Sequence, residues 1–316
     1  MGVFVFLPLV LPLTALPIAR LAEQHLHPRT AARLLTVIAV VMAASCAISL
    51  CLLFVVGTAH LTGNPLPDSW SDPEVRNAVP FHRTIGSSAI VALLVVLAAC
   101  ARTLRRHRRV RARSRQALGV AGVSGPEVAV LPDERPYAYA LPGAPGRIAV
   151  STGMLAGLAP DEQTVLLAHE RAHLTHHHHR YLLATQLAAC VNPCLRPLRQ
   201  AVAYSTERWA DEEAAHSVGD RRLTARAVAR AALISVPPPV PGAVAGALAA
   251  FAAPGPVPRR VAALLAPGPR TSGWPPAHSR AGLATMVAAA GTAASAVSSL
   301  NAAVALLLLL KAATPL

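Results

Sequence analysis

Long uncharged runs alternate with charged stretches along this chain, and the runs lack the one-sided pattern of a surface helix. Leu34 to Val56 and Leu283 to Leu310 contain no charged residue. A helix needs about 20 apolar residues to cross a bilayer. Ile85 to Ala101 is shorter but strongly apolar. Val3 to Ile18 is apolar too, although Pro8, Pro12 and Pro17 interrupt it. No basic residue precedes that run and no small-residue cleavage site follows it, so it reads as a first span and not as a signal peptide. The pattern predicts four transmembrane helices.

Between the third and fourth runs the pattern changes. Glu127 to Leu131, Tyr137 to Leu141 and Arg147 to Ser151 read as short strands, the last two joined by the turn residues Pro142-Gly143-Ala144-Pro145-Gly146. Pro160-Asp161-Glu162 reads as a helix start, with Pro early and acids in the first turn. Its apolar residues Val165 to Ala168 run into His169. Further helices are expected over about Ala201 to Ser217 and Arg222 to Ser235, then a break at Pro237 to Pro241. A Pro/Gly/Ala-rich linker to Trp274 follows, with one helix near Pro258 to Leu265. The expected fold class is a mainly α membrane protein with a small α+β domain between its third and fourth spans. The boundaries fall at 1–101 for the N-terminal membrane region, 102–280 for the soluble domain and linker, and 281–316 for the last transmembrane helix.

Composition agrees with this division. Charged residues make up 14% of the 316-residue chain, against about 25% in soluble domains. The net charge is +14, and Lys occurs once, at Lys311. Arginines therefore set the orientation. Arg20, Arg29 and Arg33 follow the first run; Arg102, Arg105, Arg106, Arg108, Arg109, Arg111, Arg113 and Arg115 follow the third. The loop after the second run balances Asp68, Asp72 and Glu74 against Arg76 and Arg83. The expectation is a multi-pass protein of the cell membrane with both termini outside and residues 102–280 in the cytoplasm. The Arg run holds no aromatic residue for base stacking and abuts a span, so contact with anionic lipid headgroups is expected and nucleic acid is not. Of Cys46, Cys51, Cys100, Cys190 and Cys194, the last two make a C-x-x-x-C pair that can bind metal or form a disulfide, but with no second pair the cysteines are assigned no chemistry.

The chemistry lies in His169-Glu170-Arg171-Ala172-His173, an H-E-x-x-H sequence in a helical segment. Residues four apart share a helix face, so both imidazoles can reach one zinc ion. Glu170 is one step around the helix, where its carboxylate can take a proton from water. A third protein ligand is needed. One source is the run His176-His177-His178-His179. His179 has the spacing of H-E-x-x-H-x-x-G-x-x-H, but His176 stands where that pattern needs Gly. The other is Glu207, in Glu207-Arg208-Trp209-Ala210-Asp211, on a second helix. Asp211, one turn on, could accept the other ring N–H of a ligating His. Glu207 is the expected ligand, because the zinc helix should continue through the His run. Continuation would place His179 about 9 Å beyond His173 along the axis and leave the run a solvated extension. Glu212 and Glu213 are expected on a solvated face. No residue is identified to stabilise the oxyanion; Arg221 and Arg222 are only nearby cations.

With H-E-x-x-H followed by E-x-x-A-D, the chain resembles the membrane gluzincins that include HtpX and the CAAX prenyl proteases. In its order of parts, and in Asn192-Pro193, it is more similar to the BlaR/MecR-type antirepressor zinc metallopeptidases. HtpX-like enzymes place spans between the two motifs, whereas Leu174 to Thr206 is short and partly polar. The resemblance implies a gluzincin-like domain with one Zn2+ per chain on His169, His173 and Glu207. It implies Glu170 as general base and Asp211 orienting a ligand. Tyr137 to Gly143 resembles the edge strand before the zinc helix, so Ala138, Tyr139 and Ala140 are expected to bind substrate by strand addition; Tyr137 stands where that pattern begins with Asn. No residues after the fourth span supply the penicillin-binding sensor domain of the antirepressors, so β-lactam sensing by that route is not expected.

The function expected is that of an integral membrane zinc metalloendopeptidase acting on a cytoplasmic protein, a transcriptional repressor among the candidates. The alternatives are an HtpX-like quality-control protease and a non-catalytic membrane sensor. Its partners are a protein or peptide substrate and the lipid bilayer.

Overall fold

The computed structural model describes residues 5–58, 82–120, 127–143, 146–235, 257–268 and 279–313. The break expected at Pro237 to Pro241 and the loop between the second and third apolar runs lie outside them, as do Ala144 and Pro145 of the turn.

Three helices are long and apolar enough to cross a membrane among the described residues. They are α3 (Pro28–Thr58), α4 (His82–Val120) and α11 (Arg280–Ala313). The segment expected as the first span is not one helix. It is divided into α1 (Leu7–Val10), a 3-10 turn (Leu11–Thr14) and α2 (Ala15–His25). The cause is its prolines, each of which lacks the N–H that a continuous helix needs and crowds the preceding turn. The segment still packs along α3. Val5 joins Leu53, Val56 and Ala302 in one apolar cluster, and Ala15, Ala19 and Ala22 join Ala31, Leu35 and Ile38 in another. The Pro8 carbonyl accepts a hydrogen bond from the Cys46 thiol at 2.9 Å. α3 and α4 approach most closely at Gly57 and Gly86, where a Cβ on either residue would collide with the other's backbone.

Between α4 and α11 the chain begins with a three-stranded sheet of β1 (Val128–Leu131), β2 (Ala138–Leu141) and β3 (Arg147–Ser151), in the order β1-β3-β2. β3 is central; its Ile148, Ala149 and Val150 are fully buried. β1 pairs with it in parallel, Val128 opposite Ile148, and β2 antiparallel, Ala138 opposite Val150 and Ala140 opposite Ile148. Ser151 caps the short α5 (Thr152–Gly157), its hydroxyl accepting from the Met154 N–H.

Five helices follow: α6 (Pro160–Thr175), α7 (His178–Val191), α8 (Arg196–Val218), α9 (Arg221–Ile234) and α10 (Val257–Leu265). α6 starts as its sequence predicts. Pro160 occupies the first turn, and the Glu162 carboxylate accepts from the Ala159 N–H at 3.0 Å. It does not continue through the His run. It ends at Thr175, His177 adopts a left-handed conformation (φ 53°), and α7 restarts at His178. Histidine is among the non-glycine residues that tolerate this region. α8 ends on Gly219, also left-handed at φ 73°. α7 and α8 form a hairpin with Asn192-Pro193 at its tip. Its apolar face, with Leu195, Leu198, Ala201 and Val202, packs on Leu35, Ile38 and Met42 of α3. The Asn192 amide donates to the Leu9 carbonyl at 3.3 Å, and its oxygen accepts from the Cys194 N–H at 2.9 Å. The stretch between the two sequence motifs, expected to be too short and polar for a span, thus lies against a membrane-spanning candidate.

Candidate metal centre

α6 and α8 pack against each other and carry the site between them. His169 and His173 lie one turn apart on α6, and their Nε2 atoms are 3.1 Å apart. Glu207 projects from α8, with Oε2 3.6 Å from His169 Nε2 and Oε1 3.5 Å from His173 Nε2. These are the three residues whose ligand atoms gather within 4.8 Å of one another among the described residues. Donors about 2.0–2.1 Å from a tetrahedral zinc would be about 3.3 Å apart. The chemistry also fits: two imidazole nitrogens and one carboxylate leave a fourth position open. The cluster fits a zinc site.

Each ring's other nitrogen faces a partner. His169 Nδ1 is 3.1 Å from Asp211 Oδ1, and Asp211 is fully buried. His173 Nδ1 is 2.8 Å from His178 Nδ1. His178 is buried, which corrects the expectation that the His run is a solvated extension; in that run, His177 is the exposed member. His176 turns to Glu213, 3.2 Å away, and stacks on Trp209. Neither His176 nor His179 belongs to the ligand cluster. Glu212 and Glu213 are not a free acidic face. Glu212 pairs with Arg208 and Arg221, and Glu213 accepts from the Trp209 Nε1–H at 3.1 Å.

Arg260, on α10, completes the centre and was not foreseen from sequence. It donates to both oxygens of Asp211, at 2.8 and 2.6 Å, and its Nη1 is 3.0 Å from Glu207 Oε2. The short helix that carries it was expected near Pro258 to Leu265, but its linker gave no signal of a partner 49 residues earlier. Arg221, noted in sequence as a nearby cation, instead donates to the Ala263 and Leu264 carbonyls at the end of α10 and holds that helix in place.

This arrangement sets the charges. Burial alone would raise the carboxyl pKa values of Glu207 and Asp211; the Arg260 guanidinium overrides it and keeps both below the usual range. Burial would lower His169, but the carboxylates of Asp211 and Glu207 beside it prevail and raise it to about 10. His173 is lowered to about 4, chiefly by burial. Glu170 is pushed up to about 7, first by burial, with the Glu207 charge adding and the His169 charge opposing. The Ala140 backbone hydrogen bond pulls it the other way.

The Ala140 backbone near Glu170 belongs to β2, the outer strand next to α6. The Ser151 N–H donates to the Tyr137 carbonyl, so the alternation of an antiparallel pair turns the Ala138 and Ala140 backbone groups away from β3. Ala138, Tyr139 and Ala140 thus lie on a sheet edge beside the helix that carries His169, Glu170 and His173.

Residues 101–192 match the model of Peptidase family M48. The match spans less than half of the chain; the family is one of zinc metallopeptidases, which are hydrolases. The matched stretch includes the sheet, His169, Glu170 and His173, and ends before Glu207. No curated protein and no solved structure matches the chain.

Proposed function

We propose that this M48-domain protein is an integral membrane endopeptidase that cleaves a protein presented at the cytoplasmic face of the cell membrane. The observation that carries the reading is the convergence of His169, His173 and Glu207 beside Glu170. In this reading the first three hold zinc. Zinc, when bound, supplies a Lewis acid that polarises a carbonyl and lowers the pKa of water to about 7. Glu170 takes a proton from the attacking water and passes it to the leaving amine. Asp211 orients His169, and Arg260 holds Asp211 and Glu207 in their charged forms. The substrate lies as an added strand along the outward backbone groups of Ala138 and Ala140, with Tyr139 alternating to the sheet face.

The cytoplasmic orientation is supported by the exposed arginines of α4 beyond its apolar half. The N-terminal segment is read as a fourth membrane element, since its two ends pack against opposite parts of α3. The order of helices around the domain favours the antirepressor-type resemblance, and with it a transcriptional repressor as substrate. The hairpin of α7 and α8 against α3 favours a second reading, a quality-control protease for membrane proteins.

Glu170→Gln tests the reaction. It should abolish proteolysis while zinc stays bound, because the ligands are untouched; full activity would overturn the role of Glu170. The proteins that this variant retains separate the substrates: one soluble regulator for the first reading, many membrane proteins for the second. A reporter fused after Leu316 should read exterior and one inserted near Gly125 cytoplasmic, and the opposite pair would place the site outside.

A further inference from the structure

A ligating imidazole presents Nε2 to a metal only while its proton sits on Nδ1, and that N–H needs an acceptor. For His169 the carboxylate of Asp211 stands 3.1 Å from Nδ1. For His173 no carboxylate is in place; the group at hydrogen-bond distance is another imidazole, His178, with Nδ1 2.8 Å from Nδ1. We propose that His178 is the positioning residue for His173, accepting its Nδ1–H and fixing the tautomer that turns Nε2 toward the metal. The inference rests on the zinc reading above.

Three observations support it. The first is the backbone. On a continued helix, residues five apart point in different directions. Here α6 stops at Thr175 and His177 takes the left-handed conformation, so the restart of α7 brings the His178 ring back over His173. A non-glycine residue in this region marks a local cost accepted for what it positions.

The second is burial. His178 is 1% exposed. A neutral imidazole has one nitrogen that accepts and one that donates. With Nδ1 accepting, its proton lies on Nε2, a buried atom with no hydrogen-bond partner.

The third is the wall behind it. The Trp209 ring lies 4.7 Å from the His178 ring and stacks on His176 at 4.5 Å. The guanidinium groups of Arg29 and Arg33, in the first turns of α3, stand 5.5 and 5.3 Å from the Trp209 centroid. The His178 ring is thereby fixed by a residue that lies between Glu207 and Asp211 on α8 and is itself clamped by the membrane helix. Cation–π contacts of this kind hold an aromatic ring in one orientation.

Asn and Gln distinguish positioning from packing. The Asn Oδ1 overlies the His Nδ1 position, whereas the longer Gln side chain carries its amide toward the Nε2 position; both are neutral and polar. Zinc affinity is measured by chelator competition on the full-length protein in detergent, beside metal-free thermal melts. His178→Asn should keep wild-type zinc affinity. His178→Gln should weaken it about 10–100-fold, the usual effect of removing a ligand's hydrogen-bond partner, with both variants melting together when metal-free. Equal affinity in the two variants, or loss tracking the metal-free melting temperature, would overturn the proposal. A wild-type chain that takes up no zinc would defeat the metallopeptidase reading itself, and this inference with it.

Discussion

Arg260 donates to both carboxylate oxygens of Asp211, and the same guanidinium lies 3.0 Å from Glu207. A buried cation therefore faces two buried carboxylates, one of them in the ligand cluster. Removing one partner of such a network strands the others in low dielectric, at a cost of about 3–5 kcal/mol. Arg260→Ala should accordingly lower the melting temperature of the metal-free protein sharply. Arg260→Lys should recover only part of it, because an ammonium cannot form the two-pronged contact. A melt unchanged in Arg260→Ala would show that the contact contributes nothing to the fold.

The same centre predicts how metal-free stability depends on pH. His173 and His178 are held neutral, with pKa values lowered to about 4 and about 2. Below 6.5 the unfolded chain takes up protons that the folded chain refuses, so stability falls with falling pH. Glu207 and Asp211, kept below their ordinary 4.5 and 3.8, add a loss of the same sign at lower pH. Glu170 and His169 have the opposite sign. Glu170, raised from 4.5 to about 7, loses its contribution across that interval, and His169, raised to about 10, contributes stability that is complete below 6.5 and lost as pH rises toward 10. Metal-free protein should therefore melt highest near pH 6.5 and lower on both sides. Zinc should remove the alkaline decline, since a metal-bound imidazole is neutral. Melts across pH with and without zinc check this; a metal-free optimum above pH 9 would contradict it.

The parts of this centre legible in sequence were those with local rules. H-E-x-x-H on a helix that starts at Pro160 places two imidazoles on one face, and Glu207 and Asp211 share a face by the same spacing. Arg260 was illegible because nothing local marks it: a short helix in a Pro/Gly/Ala-rich stretch acquires its meaning only where α10 docks. His178 was hidden by a positive φ at His177, which no glycine announced. The apolar runs showed which segments favour lipid, but not that prolines would divide the first of them or that the α7–α8 hairpin would lie along α3.

The contact between Gly57 and Gly86 gives a test of the membrane part. Small residues let two spanning helices approach closely, and here a Cβ at 57 would meet the Gly86 carbonyl. Gly57→Val should separate α3 from α4 at a cost of about 1–3 kcal/mol, the usual range for overpacking. The checks are a lower melting temperature in detergent and faster proteolysis of the chain. The zinc centre lies at the other end of α3, near Arg29 and Arg33, so zinc stoichiometry in the folded fraction should not change. Loss of zinc without loss of stability would show that the two ends of α3 are coupled more tightly than their packing implies.

The third ligand can be decided by stoichiometry. Glu207 is the carboxylate that faces both Nε2 atoms, at 3.5 and 3.6 Å. Among the rivals, His176 is drawn off to Glu213 and Trp209, and His179 lies beyond the left-handed turn at His177. Glu207→Ala should therefore lose zinc, and activity with it. Replacing His176, His177 and His179 together with Gln, leaving His178 in place, should keep one zinc per chain. His178 must be spared because its bond to His173 would weaken metal binding without its being a ligand. The two effects differ in kind: loss of a ligand removes a coordination bond, whereas loss of a ligand's hydrogen-bond partner costs about 10–100-fold in affinity. Zinc content after exhaustive dialysis, measured for both variants beside wild type, gives the answer. Full zinc in Glu207→Ala with none in the triple Gln variant would move the third ligand into the His run and remove the carboxylate from the metal centre.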